Sequence, residues 1–132
     1  MIGVDSNVLV RVLVGDAPEQ SRRAVAFLSQ RSQEDPAYVS EVVLVEIIWV
    51  LQRAYGYTRD AVLVALTTLF ESANLLVARQ ELMQLAIRMS LETGADLADS
   101  VIAALAVDAG AAKTVTFDRD AARRIPGMEL LK

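Results

Sequence analysis

Short apolar segments alternate along the chain with longer segments whose apolar positions recur at helical spacing. The apolar segments predict strands at residues 2–4, at about 38–39, at 75–77 and at 113–117, with a last edge strand at 128–131. Strands that alternate with helices in this way predict a layered α/β fold with a mostly parallel sheet. In such sheets ligands bind beyond the carboxyl ends of the strands, so the residues that follow the strands are candidates for function.

Capping residues and glycines predict where the intervening helices begin and end. Ser40 is a favourable N-cap, and Gly56 a favourable C-terminal residue, for a helix over about residues 41–55. Pro18 suits the first turn of another helix. The remaining predicted helices cover residues 8–14, about 59–70, 80–92, 97–109 and 119–124.

Helical spacing also predicts which side chains are buried. In the helix over residues 80–92, one apolar face is expected to comprise Leu82, Leu85, Ala86 and Met89. Trp49 lies within the most apolar helix of the chain. We therefore expect its ring in the core rather than at the surface as a platform for a nucleobase.

The composition is that of one globular domain. The chain has 132 residues, 54% of them hydrophobic, and a mean hydropathy of +0.36, so we expect a single domain over residues 1–132. No apolar run approaches the roughly 20 residues of a membrane-spanning helix. The N-terminal residues also lack the basic segment of a secretory signal. A cytoplasmic protein without membrane association is the resulting expectation.

The chain contains neither cysteine nor histidine. The absence of cysteine excludes disulfides and thiolate chemistry. The absence of histidine excludes Ser-His-Asp triads, histidine-based ribonuclease chemistry and ordinary zinc sites. An enzyme of this composition would depend mainly on carboxylates and a hard divalent metal such as Mg²⁺ or Mn²⁺, which oxygen ligands suit.

The charge balance depends on how five acids are counted. The 17 acidic and 13 basic residues give a net charge of -4, which by itself weakly disfavours nucleic-acid binding. The acids that could form one site are Asp5, Glu46, Asp96, Asp99 and Asp118. Without them the rest of the surface is nearly neutral, and a bound cation offsets part of the charge of the site.

Glu46 lies within the apolar sequence VVLVEIIWVL. A helix that is apolar nearly all round is expected to be buried nearly all round. An unpaired carboxylate there would cost several kcal/mol or become protonated. Glu46 is therefore expected to have a partner or a cation, and a position at a solvent-facing slit or a salt bridge to an arginine are the alternatives.

Asp5 and Asp118 each follow a predicted strand directly, so we expect both at one edge of the sheet. Each also has a simpler explanation, Asp5 as a helix N-cap and Asp118 as a residue of the turn that ends a strand. The two candidate roles of Asn7 are a cap or turn residue and a residue that holds a metal-bound water. Thr116 shares a strand face with Asp118 because side chains alternate with a period of two.

Asp96 and Asp99 are three residues apart at the start of a predicted helix, so they lie on one face. The helix dipole alone favours acids at this position. Two nearby carboxylates repel each other, however, and a shared divalent ion would relieve that repulsion. The apolar surface expected to anchor the helix comes from Leu97, Val101, Ile102 and Leu105.

Arginines are the candidate contacts to phosphate groups, although each could equally be part of a solvated helix surface. The candidates are Arg11, Arg22, Arg23, Arg119, Arg123 and Arg124.

Four segments of the chain resemble, in their order and spacing, the motifs of the PIN-domain family and specifically of VapC toxins. The segments are residues 5–11, 40–51, 94–104 and 116–118, and they are spread over nearly the whole chain. The departures are small. Ser6 stands where threonine is usual and keeps the hydroxyl, and Leu97 replaces a more common aromatic residue.

The resemblance implies a three-layer PIN-like α/β fold with a short, mostly parallel central sheet flanked by helices. It implies an Mg²⁺- or Mn²⁺-dependent endoribonuclease that acts as the toxin of a type II toxin–antitoxin system. The metal ligands that it implies are Asp5, Glu46, Asp99 and Asp118, with Asp96 as an auxiliary acid. The supporting residues that it implies are Asn7, Ser40 and Thr116. The partners would be RNA, a second copy in a homodimer and a cognate VapB-type antitoxin.

The same residues bear on three other functions. A receiver-like phosphoacceptor domain would have paired acids after the first strand and a lysine after a late strand, whereas Lys113 precedes its strand. A haloacid-dehalogenase-type phosphatase would have Asp-x-Asp after the first strand, whereas position 7 is Asn7. A non-catalytic PIN-like binding module stays open, although the intact set of acids argues against it.

Overall fold

A computed structural model describes residues 1–132, and helices alternate in it with short strands as the sequence predicted. The chain is divided into two units, Met1–Ala78 and Arg79–Lys132, so the expectation of one domain stays a prediction. None of the helices combines the length and the apolarity that a membrane crossing requires.

The first unit contains a three-stranded parallel sheet and four helices. The strands, in the order β1-β2-β3, are β1 (Ile2–Gly3), β2 (Ala37–Val39) and β3 (Leu75–Val77). The helices are α1 (Ser6–Val14), α2 (Pro18–Ser29), α3 (Glu41–Arg53) and α4 (Arg59–Glu71).

Side-chain caps fix the starts of α3 and α4 where the sequence predicted them. The Ser40 hydroxyl accepts a hydrogen bond from the Val43 N–H at 3.3 Å, and the Thr58 hydroxyl accepts one from the Ala61 N–H at 3.2 Å. Each cap satisfies a backbone donor that the first turn of a helix leaves without an intrahelical acceptor. Gly15 ends α1 with a φ of 71°, a conformation that glycine adopts without steric cost.

Helix α3 is buried on one face only, which corrects two predictions. Its core face consists of Leu44, Ile47, Ile48 and Leu51, none of which has any exposed surface. Val42 and Trp49 lie on the other side, and Trp49 keeps 48% of its surface exposed instead of joining the core. The Arg53 guanidinium covers the Trp49 ring at 3.8 Å from its centroid, and this cation–π contact gives the ring a partner at the surface.

The second unit contains a separate two-stranded sheet and three helices. The strands β4 (Thr114–Thr116) and β5 (Met128–Leu130) are parallel, like every other strand pair in the structure. The helices are α5 (Gln80–Thr93), α6 (Leu97–Asp108) and α7 (Arg119–Arg124). The helix-rich α/β class and the short parallel strands are confirmed. Asp5 follows β1 of the first unit and Asp118 follows β4 of the second. The expectation that they share one edge of a sheet stays a prediction.

The buried face of α5 lies to one side of the face that was predicted. Met83, Ala86 and Ser90 are buried, whereas Leu85 is 48% exposed. The Ser90 hydroxyl donates a 2.6 Å hydrogen bond to the Ala95 carbonyl, which explains how a polar residue is accommodated there. On α6, Leu97 and Val101 are buried as predicted, but Ile102 is exposed.

Candidate active site

A hydroxyl group links two of the predicted metal ligands in the first unit. Asp5 is the N-cap of α1, and its Oδ1 accepts a hydrogen bond from the Ser6 N–H at 2.7 Å. The buried Ser6 hydroxyl lies 3.4 Å from the same oxygen and donates to Oε2 of Glu46 at 2.7 Å. Asp5 and Glu46 therefore contact one side chain, although 40 residues separate Ser6 from Glu46.

Glu46 is not buried within α3, contrary to the prediction from the apolar sequence around it. Its side chain is exposed, because it lies outside the core face of α3. Its partner is the Ser6 hydroxyl and not an arginine. Glu46 has a hydrogen-bond partner, as predicted, but its side chain is not buried. The observed position is the solvent-facing one that the sequence left as an alternative.

Two predicted supporting residues also lie in this unit. Asn7 is exposed, directly after Ser6 in the first turn of α1. Ser40 caps α3, and that role accounts for its side chain without any ligand. Its position still bears on the site, since the cap sets where the helix that carries Glu46 begins.

In the second unit, Asp96 and Asp118 are helix N-caps. Oδ2 of Asp96 accepts from the Asp99 N–H at 3.1 Å at the start of α6. Oδ1 of Asp118 accepts from the Asp120 and Ala121 N–H groups at 2.9 and 3.0 Å at the start of α7. The Thr116 hydroxyl accepts from the Asp118 N–H at 3.0 Å, so this predicted supporting residue fixes the backbone at Asp118.

Burial is the main cause that raises the pKa of Asp99 above its ordinary value, and the negative charges of Asp96 and Asp118 raise it further. The carboxylates of Asp96 and Asp118 are therefore close enough to repel that of Asp99. Such repulsion favours either a proton or a cation at the site.

Each capping aspartate uses only one carboxylate oxygen. Oδ2 of Asp5, Oδ1 of Asp96 and Oδ2 of Asp118 accept no hydrogen bond. Capping and metal binding are therefore compatible for these side chains, and hard oxygen donors suit Mg²⁺ or Mn²⁺. No group of three or more acidic side chains is close enough together to enclose a metal ion.

A groove of about 630 Å³ opens in the first unit beside Asp5. Arg11 lies in it but is held by neighbours: Nε donates to Gln20 at 2.6 Å, and Nη1 contacts Asp16 at 3.0 Å and the Tyr55 hydroxyl at 3.2 Å. These contacts leave Arg11 less available to an incoming phosphate than the sequence suggested.

The other predicted phosphate contacts divide into paired and unpaired arginines. Arg123 and Arg124 both donate to Asp120, at 2.7 and 2.9 Å. The hydrogen bonds from Arg124 and then from Arg123 hold the pKa of the Asp120 carboxyl below its ordinary value. Among these candidates, the arginines that are exposed and make no hydrogen bond or ion pair are Arg22, Arg23 and Arg119.

The PIN-domain family model matches residues 2–127, nearly the whole of the chain. The protein belongs to the PIN-domain family. Membership supports a nuclease activity in general terms. No curated protein matches this PIN domain. The Mycobacterium tuberculosis protein VapC20, described as a sarcin-ricin loop cleaving toxin, is 20% identical with a TM-score of 0.44, over 93% of this chain and 94% of that one. A likeness at this level does not by itself transfer a function.

Two residues of the candidate site were not identified from the sequence. Ser6 was noted as a hydroxyl at a motif position, but its contact with Glu46 joins segments far apart in sequence and had no local signal. Phe27 had no sequence signal of a function, and its half-buried ring lines the groove beside Asp5.

The raised pKa of Asp99 predicts a pH-dependent effect of the Asp99→Asn substitution on stability. An acid with a raised pKa binds its proton more tightly in the folded state, so the free energy of unfolding falls as pH rises through the interval between the ordinary and the raised pKa. Asparagine lacks this penalty. Urea unfolding in EDTA is expected to show the variant gaining stability relative to the parent as pH increases from about 4 to neutral. A pH-independent difference would contradict the repulsion inferred for this site.

Proposed function

We propose that this PIN domain is an Mg²⁺- or Mn²⁺-dependent endoribonuclease of the VapC type, the toxin of a type II toxin–antitoxin system. Family membership supports the nuclease class. The observation that carries the proposal further is the Ser6 hydroxyl that contacts the carboxylates of both Asp5 and Glu46. A structural cap needs no second carboxylate, whereas a metal centre needs several held in place.

The proposed metal ligands are the acids named from the sequence: Asp5, Glu46, Asp99 and Asp118, with Asp96 as an auxiliary acid. Their unpaired oxygens and the repulsion around Asp99 fit a cation. A bound Mg²⁺ would lower the pKa of a coordinated water and offset charge on the attacked phosphate.

The side chains around the acids have positioning roles in this proposal. Ser6 orients Glu46, Thr116 fixes the backbone of Asp118, and Ser40 sets the start of the helix that carries Glu46. Asn7 lies in the first turn after Asp5 and lines the groove. A carboxylate of the site accepts the proton of the attacking water, so no histidine is needed.

The proposed partners follow from the same function. Of the three exposed and unpaired arginines, Arg23 and Arg119 would contact RNA phosphates, whereas Arg22 does not line the groove beside Asp5 and has no such role in the proposal. Arg11 and Arg123 would serve only after exchanging their present carboxylate partners. A VapB-type antitoxin that silences the toxin, a homodimer and a cytoplasmic location belong to the proposal as expectations.

Ser6→Ala is expected to lower the rate of RNA cleavage by about 10- to 100-fold, the effect typical of removing a group that orients a metal ligand. Ser6→Thr keeps the hydroxyl and is expected to retain most of the activity. The measurement is the initial rate of cleavage of a labelled RNA with Mg²⁺. Equal activity of the alanine and threonine variants would show that the contact with Glu46 has no part in catalysis.

The proposed function is tested by incubating purified protein with end-labelled RNA in Mg²⁺ and in EDTA. Cleavage that requires the metal and returns when EDTA is titrated with Mg²⁺ is the expected result. Binding of the RNA without cleavage under either condition would indicate a non-catalytic PIN-like binding module instead.

A further inference from the structure

The groove beside Asp5 combines groups that suit a nucleotide. It belongs wholly to the first unit, and its volume of about 630 Å³ is in the range of sites for small ligands. Asp5 lies in its lining together with an arginine, Arg23, and an aromatic ring, Phe27. A groove that contains a proposed metal ligand is a place where the strand attached to the attacked phosphate could continue.

Arg23 is the cation in this groove that is free to bind an anion. It is exposed and has neither a hydrogen bond nor an ion pair, whereas Arg11 is held by Gln20 and Asp16. Arg22 is equally exposed and unpaired but does not line the groove, since neighbouring residues of a helix point in different directions.

Phe27 lies four residues after Arg23, so the two side chains share one face of α2. Its ring is half-buried, and the Arg31 guanidinium lies 5.2 Å from the ring centroid. Arg31 is in turn held by an ion pair with Asp35 at 2.8 Å. The Phe27 ring is thus held by its contact with Arg31 of the segment after α2, and it also lines the groove. An aromatic ring in such a groove can serve as a surface for base stacking.

We propose that this groove binds a nucleotide of single-stranded RNA adjacent to the cleaved bond, with its phosphate on Arg23 and its base against Phe27. The proposal rests on the proposed function only in placing Asp5 at the reaction centre. An acidic peptide would satisfy Arg23 but would leave the aromatic ring without a specific use, so RNA is the favoured occupant.

The test measures binding without cleavage. Fluorescence anisotropy of a fluorescein-labelled single-stranded RNA of mixed sequence, in EDTA, compares the parent with four variants. Arg23→Ala and Phe27→Leu are each expected to raise Kd by at least about fivefold. Arg22→Ala, the matched control, is expected to change Kd by less than about twofold, and Phe27→Tyr, which keeps the π face, is expected to retain binding.

Salt dependence separates the two contacts. Arg23→Ala is expected to reduce the slope of log Kd against log salt by about 0.7, the value for one phosphate contact with a single strand, whereas Phe27→Leu leaves the slope unchanged. Equal losses for Arg22→Ala and Arg23→Ala, or unchanged Kd for Phe27→Leu, would overturn the proposal. So would a labelled polyglutamate peptide that binds as tightly as RNA and is insensitive to Phe27→Leu.

Cleavage is measured separately so that the two proposals can fail independently. RNA binding that depends on Arg23 and Phe27, in a protein that does not cleave RNA, would refute the proposed nuclease activity and support the proposed role of the groove. Metal-dependent cleavage by a protein whose RNA affinity is unchanged by substitution of Arg23 and Phe27 would support the nuclease activity and refute the proposed role of the groove.

Discussion

Asp99→Asn is expected to reduce the rate of RNA cleavage by at least about 100-fold at neutral pH, since a metal's electrostatic contribution to the reaction is several kcal/mol and each 1.36 kcal/mol is a factor of ten in rate. The substitution keeps the shape of the side chain and removes its charge. Burial and the charges of Asp96 and Asp118 raise the pKa of Asp99, and a bound cation would offset this unfavourable charge.

The same measurement on Asp5→Asn tests the first unit. A comparable loss is expected, because Asp5 has an unpaired carboxylate oxygen and shares Ser6 with Glu46. Asp60→Asn is the matched control, an exposed aspartate in the first turn of α4, and is expected to keep full activity. Folded Asp5 and Asp99 variants that cleave RNA as fast as the parent with Mg²⁺ present would contradict the assignment of these acids.

Leu66→Ala is expected to lower the free energy of unfolding of the first unit by about 2–5 kcal/mol. Leu66 is completely buried on α4, so its truncation removes apolar contacts and leaves a cavity that rigid neighbours fill only in part. A loss of this size is a large fraction of the stability of a typical domain. Urea unfolding followed by circular dichroism measures it.

Two valines of α4 provide a control of identical chemistry. Val62 is completely buried and Val64 is 69% exposed, although both are on the same helix. Val62→Ala is expected to cost about 2 kcal/mol, and Val64→Ala to stay within about 0.5 kcal/mol of the parent. Similar losses for both substitutions would show that the core of this unit lies elsewhere.

Local features of the sequence predicted the elements well. Ser40 and Thr58 cap helices where predicted because a cap depends on a hydroxyl and a backbone N–H three residues later, all within one turn. Leu75–Val77 and Arg119–Arg124 have the predicted bounds. The cap at Asp5 was predicted from the same local chemistry, and Asp96 was placed correctly at the start of a helix. Asp118 was predicted as a turn residue and proves to cap α7 as well.

Which face of a helix is buried could not be read as well, because that depends on distant partners. The sequence around Glu46 and Trp49 is apolar on every side of α3, so it did not indicate which face packs against the core. Leu44 and Ile47 lie on the buried face, and Trp49 does not. On α5 the helical spacing of the leucines predicted that Leu85 would be buried, but it lies at the surface.

The candidate site likewise has parts that local sequence predicted and parts that depend on contacts between distant segments. Its acids were identifiable from motif order and from their places after strands and at helix starts. The Ser6–Glu46 hydrogen bond and the pairing of Arg123 with Asp120 arise from how segments and turns meet in space. The difference between Arg22 and Arg23 also needed the groove, since both are exposed arginines on one helix.

Titration of the purified protein with Mn²⁺ by calorimetry tests most directly whether the acids form a metal centre. Saturable binding by the parent is predicted, with affinity at least about tenfold lower in Asp5→Asn, Asp99→Asn and Asp118→Asn and unchanged in Asp60→Asn. No saturable binding by the parent, or the same affinity in all four variants, would contradict a metal-dependent nuclease built on these carboxylates.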